Sequence, residues 1–149
     1  MASKEALIEA LRLKDVVRAG WVRAGVQNPE SVAAHSWGMA LLAPQLCPED
    51  VNLCRVLELC ILHDLAEVRV GDITPHDNVS PEEKHRLESE AIENMGVDAA
   101  AAFSEYEAQQ TPESRFVRYL DKLDMSLQAE IYESQDLNLS EFKQEAGDW

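Results

Sequence analysis

The chain has 149 residues, 13 Lys plus Arg against 28 Asp plus Glu, and a formal net charge of −15 at pH 7. At ~100–200 residues per domain that length predicts one domain, and a hydrophobic share of 46% is enough to fill a core, which excludes a disordered chain. So acidic a protein is a poor partner for DNA, RNA or an anionic membrane, all of which need clustered Lys and Arg. A small phosphate ester stays open as a ligand if a bound metal ion supplies local positive charge.

No stretch reaches the ~18 consecutive apolar residues of a membrane span, and Met1-Ala2-Ser3-Lys4-Glu5 does not begin a signal peptide's apolar core. Cys47, Cys54 and Cys60 are odd in number and lack C-x-x-C spacing. They read as reduced thiols of a cytoplasmic protein, neither a disulfide framework nor a zinc ribbon.

In chain order, residues from about 4 to 18 carry Ala6, Leu7, Ala10, Leu11 and Leu13 on one face of a first helix. Gly20, Gly25 and Pro29 interrupt the chain. Ser31 is the N-cap of a second helix running to about Leu46, before Pro48. A third, from about 50 to 69, is apolar nearly all round, which predicts a place in the middle of a bundle. The segment Gly71 to Val79 is a loop dense in turn formers. Ser80-Pro81-Glu82-Glu83 opens a fourth helix to about Asn94, and a short Ala-rich helix follows from about 98 to 109. Thr111-Pro112-Glu113 starts a long helix to about Glu133, with Phe116, Leu120, Leu123, Leu127 and Ile131 on one face. The tail from Asn138 to Trp149 reads as a short helix or a frayed end. The prediction is an all-α bundle of about five to seven helices, residues 1–149 forming one domain.

The third helix carries the chemistry. His63, Asp64 and Glu67 fall in its last turns, inside an apolar segment where unpaired carboxylates cost several kcal/mol. Spacings of three and four put neighbouring groups on one helix edge. His35 lies in the second helix among Ala33, Ala34, Trp37, Met39 and Ala40, and Asp121 sits at the margin of the last helix's apolar stripe. Each alone is ordinary: a core histidine, a solvated acid. Together, two histidines and two carboxylates from three helices form a plausible divalent-metal set, suited to Mn, Fe, Co, Ni or Zn without choosing among them.

The order His35, His63-Asp64, Asp121 resembles the H…HD…D pattern of HD-domain metal-dependent phosphohydrolases. The surrounding blocks are Gly20-Trp21-Val22, Pro29-Glu30-Ser31-Val32, Ile61-Leu62-His63-Asp64-Leu65-Ala66-Glu67, Val70-Gly71-Asp72-Ile73-Thr74-Pro75 and Leu120-Asp121-Lys122-Leu123-Asp124-Met125. They are similar to the HD-domain 5′-deoxynucleotidase family, over about residues 11–133.

That resemblance implies one divalent metal (Co, Mn, Mg, Zn, Ni or Fe) on His35, His63, Asp64 and Asp121, with Glu67 as catalytic acid/base. Asp72 maps to the family's sugar-facing aspartate, with a turn-stabilising role as its bland alternative. Asp124 could face the same way as Asp121, but the family's ligand is the first Asp of D-K-L-D. The family's substrate-contacting Arg-Trp pair maps to Trp21 and to Arg18 or Arg23, with Arg18 preferred. His76, His85 and Lys84 read as solvated surface, although Lys84 is close to the Gly71–Val79 loop, and Lys122 is expected to turn away from the metal. The implied reaction is removal of phosphate from (deoxy)nucleoside 5′-monophosphates by a cytoplasmic homodimer. Release of triphosphate from a deoxynucleoside triphosphate, or noncatalytic nucleotide binding, are the alternatives.

Overall fold

Eight α-helical segments run through residues 1–143, the part of the chain that the computed structural model describes. They are α1 (Lys4–Leu11), α2 (Ala19–Arg23), α3 (Val32–Leu46), α4 (Leu53–Leu62), α5 (Glu67–Val70), α6 (Pro81–Asn94), α7 (Ala100–Ala108) and α8 (Pro112–Tyr132). Setting aside the short α2 and α5, six helices of eight or more residues remain, as an all-α bundle requires. Among the described residues the only extended pairing is an isolated antiparallel bridge, Val17 to Ser31.

The helix starts follow the capping chemistry. Ser31, Ser80 and Thr111 each accept a backbone N–H three residues on, at 3.0–3.1 Å. Pro81 and Pro112 occupy the first helical position, where a missing N–H costs nothing.

Three expectations change. The first helix stops at Leu11 and tightens into a 3₁₀ turn, Arg12–Asp15. Val16 to Arg18 then run extended because their backbone pairs with the entry to α3: the Val32 amide donates to the Val16 carbonyl at 2.7 Å and the Arg18 amide to the Glu30 carbonyl at 3.0 Å. The third helix is not one piece. It ends at Leu62, turns through His63 to Ala66 on three-residue backbone bonds, and resumes as α5. Nor is it wrapped by the bundle: Ile61 and Cys54 are exposed, while Val56, Leu59 and Cys60 are buried.

On α8 the apolar stripe holds for Phe116 and Leu120, but Leu127 and Ile131 face outward, Ile131 at 63% exposure. The inward face rotates to Asp121 and Asp124, then to Ala129 and Tyr132. The tail makes a 3₁₀ turn at Ser140–Phe142, and residues 144–149 lie outside the described part.

Two of the apolar clusters flank the site. Met39, Leu59, Phe116 and Leu120 lock α3, α4 and α8 together. Trp21, Tyr132, Leu139 and Phe142 clamp α2 against the far end of α8. Burial of these side chains fixes the helices from which the polar groups project.

Candidate active site

The break between α4 and α5 aims the central groups. His63 caps α4 with its ring fully buried; its Nδ1 lies 3.1 Å from both the Leu59 and Cys60 carbonyls. A carbonyl only accepts, so Nδ1 carries a proton, and in the neutral ring Nε2 keeps a lone pair. That Nε2 is buried and 3.1 Å from Asp64 Oδ2, with no donor of its own to satisfy it among the described residues. A buried nitrogen lone pair facing a carboxylate calls for a cation between them.

His35, on α3, brings Nε2 to 2.7 Å from Asp121 Oδ1. Donor atoms of His35, His63 and Asp64 all lie within 4.8 Å of one another. Asp121 is held from its other side by the Tyr106 hydroxyl, which donates to Oδ2 at 3.1 Å. Two imidazoles and two carboxylates thus converge, and the set fits a divalent ion of the borderline-to-hard kind.

The electrostatics agree with that fit. Burial and Arg18 would lower the His35 pKa, yet Asp121 and Asp124 outweigh them and hold it up at about 9. Burial would raise Asp64, but His63 pulls its carboxyl below the ordinary range. Glu67 goes the other way. Buried at the start of α5 with Oε2 unpaired, it is pushed well above the usual carboxylate range by burial, then by Asp64 and Asp72. A carboxyl that keeps its proton beside ionised neighbours is suited to acid/base work.

Asp64, Glu67 and Asp121 open into a cavity of about 610 Å³, the size of a small-molecule site, with the two histidines buried behind them. Among the described residues its walls include Arg18, Arg23, Lys84, Arg118 and Lys122, balanced by Asp64, Glu67, Asp72, Glu107 and Asp121. Arg18 is placed by the bridge to Glu30. Burial would lower its pKa, but Asp121, Asp72, Asp64 and Glu67 keep it firmly charged. Arg23 is turned to the loop, its Nη1 donating to Thr74 Oγ1 at 3.2 Å. Asp72 accepts the Ala19 amide at 2.9 Å through Oδ2. Trp21 borders the cavity but is only 2% exposed, packed on Tyr132 and Phe142, with its indole N–H donating to Glu30 at 3.1 Å.

Other residues depart from the sequence expectation. Lys84 is not free surface: it lines the cavity and pairs with the buried Glu88 at 3.3 Å. Lys122 lines the cavity as well. His76 and His85 are exposed, as expected. Tyr106 and Arg118 escaped notice because a single aromatic in an Ala-rich helix and one arginine among many carry no motif. Asp124 proves to touch His35 on the face opposite Asp121.

An all-α fold that gathers two histidines and two aspartates beside a proton-holding glutamate has the form of a metal-dependent hydrolase. The HD domain profile matches residues 10–147, and the chain belongs to the HD-domain family. It is 41% identical over 146 residues to the 5′-deoxynucleotidase hdd1 of Schizosaccharomyces pombe, covering 88% of this chain and 74% of that one. It is 42% identical over 130 residues to human 5′-deoxynucleotidase HDDC2, covering 82% of this chain; the match spans 64% of the human protein. The fold matches the cyanophage S-2L HD phosphohydrolase DatZ, bound to dA and one catalytic Zn²⁺ ion, with a TM-score of 0.60 at 27% identity over 88% of this chain and 72% of that one.

Proposed function

We propose that this protein hydrolyses 2′-deoxynucleoside 5′-monophosphates to nucleoside and orthophosphate. The observation that carries this reading is the convergence of the buried His35 and His63 on Asp64 and Asp121, which line one cavity with Glu67 and Arg18. His35, His63, Asp64 and Asp121 hold the divalent ion. When bound, such an ion supplies positive charge for the phosphate oxygens and a more acidic water.

The side chains divide the remaining work. Arg18 steadies the phosphate through its guanidinium fork. Glu67, protonated at rest, gives its proton to the 5′-oxygen as the P–O bond breaks and regains one from the attacking water, so the leaving group departs as a neutral alcohol. Asp72 keeps one carboxylate oxygen free of Ala19, and that oxygen accepts a sugar hydroxyl. Trp21 and Phe142 form an apolar wall beside it. Most of the catalysis is alignment and charge neutralisation, as phosphoryl transfer requires.

The test is a screen of 5′- and 3′-monophosphates, in ribo and deoxyribo forms, and of deoxynucleoside triphosphates. The protein is stripped of metal and reloaded with Mn, Co, Mg or Zn. Orthophosphate and free nucleoside from 5′-deoxymonophosphates are expected, with faster turnover of deoxyribo than ribo substrates. Triphosphate as product, or no hydrolysis of any 5′-monophosphate, would overturn the reading. The homodimer belongs to the proposal too, and light scattering on the eluting protein measures it.

A further inference from the structure

We propose that Asp124 is a positioning residue for His35, and that Gly38 is glycine in order to admit it. This rests on the reading of His35 as a metal ligand and extends it to two residues with no motif role. Asp124 Oδ2 lies 2.7 Å from His35 Nδ1, on the edge of the ring opposite Asp121. The imidazole itself is fully buried, so no solvent competes for that nitrogen.

A neutral imidazole has one N–H and one lone pair, and which nitrogen holds which is fixed by the partner of the other. With a metal ion bound at Nε2 the ring would be neutral, and Asp124, accepting from Nδ1, would keep the Nε2 lone pair aimed into the site. Carboxylate–histidine–metal relays work in this way, and the outer carboxylate also makes the ligand more basic. His63 follows the same logic with different means, since its Nδ1 faces the Leu59 and Cys60 carbonyls. Both histidines are thus held from behind at Nδ1, an arrangement that would give them the same tautomer with metal bound.

Gly38 supplies the independent observation. It sits in the interior of α3, one turn after His35, and is absent from the positive-φ positions, so its backbone does not call for glycine. A glycine there weakens a helix relative to alanine. A Cβ at this position would overlap Asp124 Oδ1 and lie 3.0 Å from its Cγ, a clash no real contact tolerates. The helix forgoes a better residue so that the Asp124 carboxylate can reach the back of His35. Glu30 completes that side: its donor atoms come within 4.8 Å of those of His35 and Asp124, with the Trp21 indole N–H donating to one of its oxygens at 3.1 Å.

The test measures zinc and cobalt affinity by chelator competition on the purified protein, alongside ¹⁵N NMR of the histidine rings in the zinc-loaded form. Asp124→Ala is expected to weaken metal binding by about 10–100-fold, the usual loss for an outer-shell partner. Asp124→Asn, which keeps an acceptor without the charge, should lose less and retain the Nδ1–H signal. Gly38→Ala should reproduce the loss in the parent but add nothing on an Asp124→Ala background, where the clash is gone.

Metal affinity within twofold of the parent in folded Asp124→Ala overturns the proposal, as does an equal Gly38→Ala effect in both backgrounds. Two bound ions per chain, one of them lost in Asp124→Ala with the other unaltered, also overturns it, since Asp124 would then be a ligand. His35→Ala separates the two readings. If it too leaves affinity unchanged, the ligand assignment fails; if it alone abolishes binding, only the positioning role fails.

Discussion

The Ala19 amide donates to Asp72 Oδ2 at 2.9 Å across 53 residues of sequence. One bond therefore ties the Gly71–Val79 loop to the first turn of α2, beside Arg18. An acid that lines the cavity while one oxygen holds Ala19 has two separable duties, holding the chain and meeting the substrate. Asp72→Ala removes both and is expected to cost about 1–3 kcal/mol of stability, the usual loss when a charged partner leaves a buried donor unmet. Asp72→Asn can still accept from Ala19, so thermal unfolding should recover while discrimination between deoxyribose and ribose does not. Equal stability losses in the two variants would show that the charge, not the acceptor, matters to Ala19.

Glu67 is expected to separate catalysis from metal binding. Burial and the neighbouring Asp64 and Asp72 keep it protonated well above the ordinary carboxylate range, so glutamine mimics its resting form. Glu67→Gln should bind metal like the parent and lose about 10²–10⁴ in kcat, the range for a lost general acid/base. Stability gives a second check in the metal-stripped protein. A carboxyl with a raised folded pKa binds more protons folded than unfolded, so it makes the parent lose stability as pH rises above the unfolded value of 4.5. Glu67→Gln should lack that decline, and urea midpoints across pH for the two proteins measure the difference. Parallel pH curves would mean that Glu67 ionises normally in the apo fold.

The cysteines report on the same site from behind. Burial, helped by Asp121, pushes the Cys60 thiol up to about 12, so only about 10⁻⁴ of it is thiolate at pH 8. Cys54 is exposed, and Cys47 is half-buried with its pKa raised by burial and then by Glu113 and Asp50. Ellman's reagent at pH 8 should label Cys54 first and Cys60 only on opening or in denaturant. Because the Cys60 carbonyl faces His63 Nδ1, opening at Cys60 disturbs a metal ligand. Added divalent metal should therefore slow Cys60 labelling by a factor of about 1 + [M]/Kd. Peptide mapping by mass spectrometry assigns the sites, and metal-independent labelling of Cys60 would uncouple the thiol from the centre.

Much of this molecule is legible in its residues, and the failures have physical causes. Ser31, Ser80-Pro81 and Thr111-Pro112 mark helix starts because local capping decides them. His35, His63, Asp64 and Asp121 stand out because polar groups in apolar segments need partners. The kink after Leu62 was hidden, since three-residue backbone bonds leave the apolar pattern nearly intact. The outward turn of Leu127 and Ile131 was equally hidden. Which face of α8 is buried changes along its length as Asp121 and Asp124 meet α3 and Ala129 and Tyr132 meet Trp21. Lys84 and Tyr106 reach the cavity only through tertiary packing, which spacing along one helix does not encode.

Net charge gives the final prediction. Among the described residues five Lys and Arg line the cavity against five acids, so the site is locally balanced within a protein of −15. The cations that a phosphate needs are thus gathered at the site before any ion binds, and Arg18 is the most buried of them, facing Asp121, Asp72, Asp64 and Glu67. Arg18→Gln should lower kcat/KM by about 10–100-fold, the worth of one charge-assisted contact, and Arg18→Lys should recover part of it because a point charge replaces a fork. The rest of the surface repels anions, so raising ionic strength should increase kcat/KM slightly in the parent by screening that repulsion. A steep fall with salt would mean that long-range attraction by the cavity cations outweighs the acidic body. Arg18→Gln should then flatten the salt curve, which tests the origin of that attraction directly.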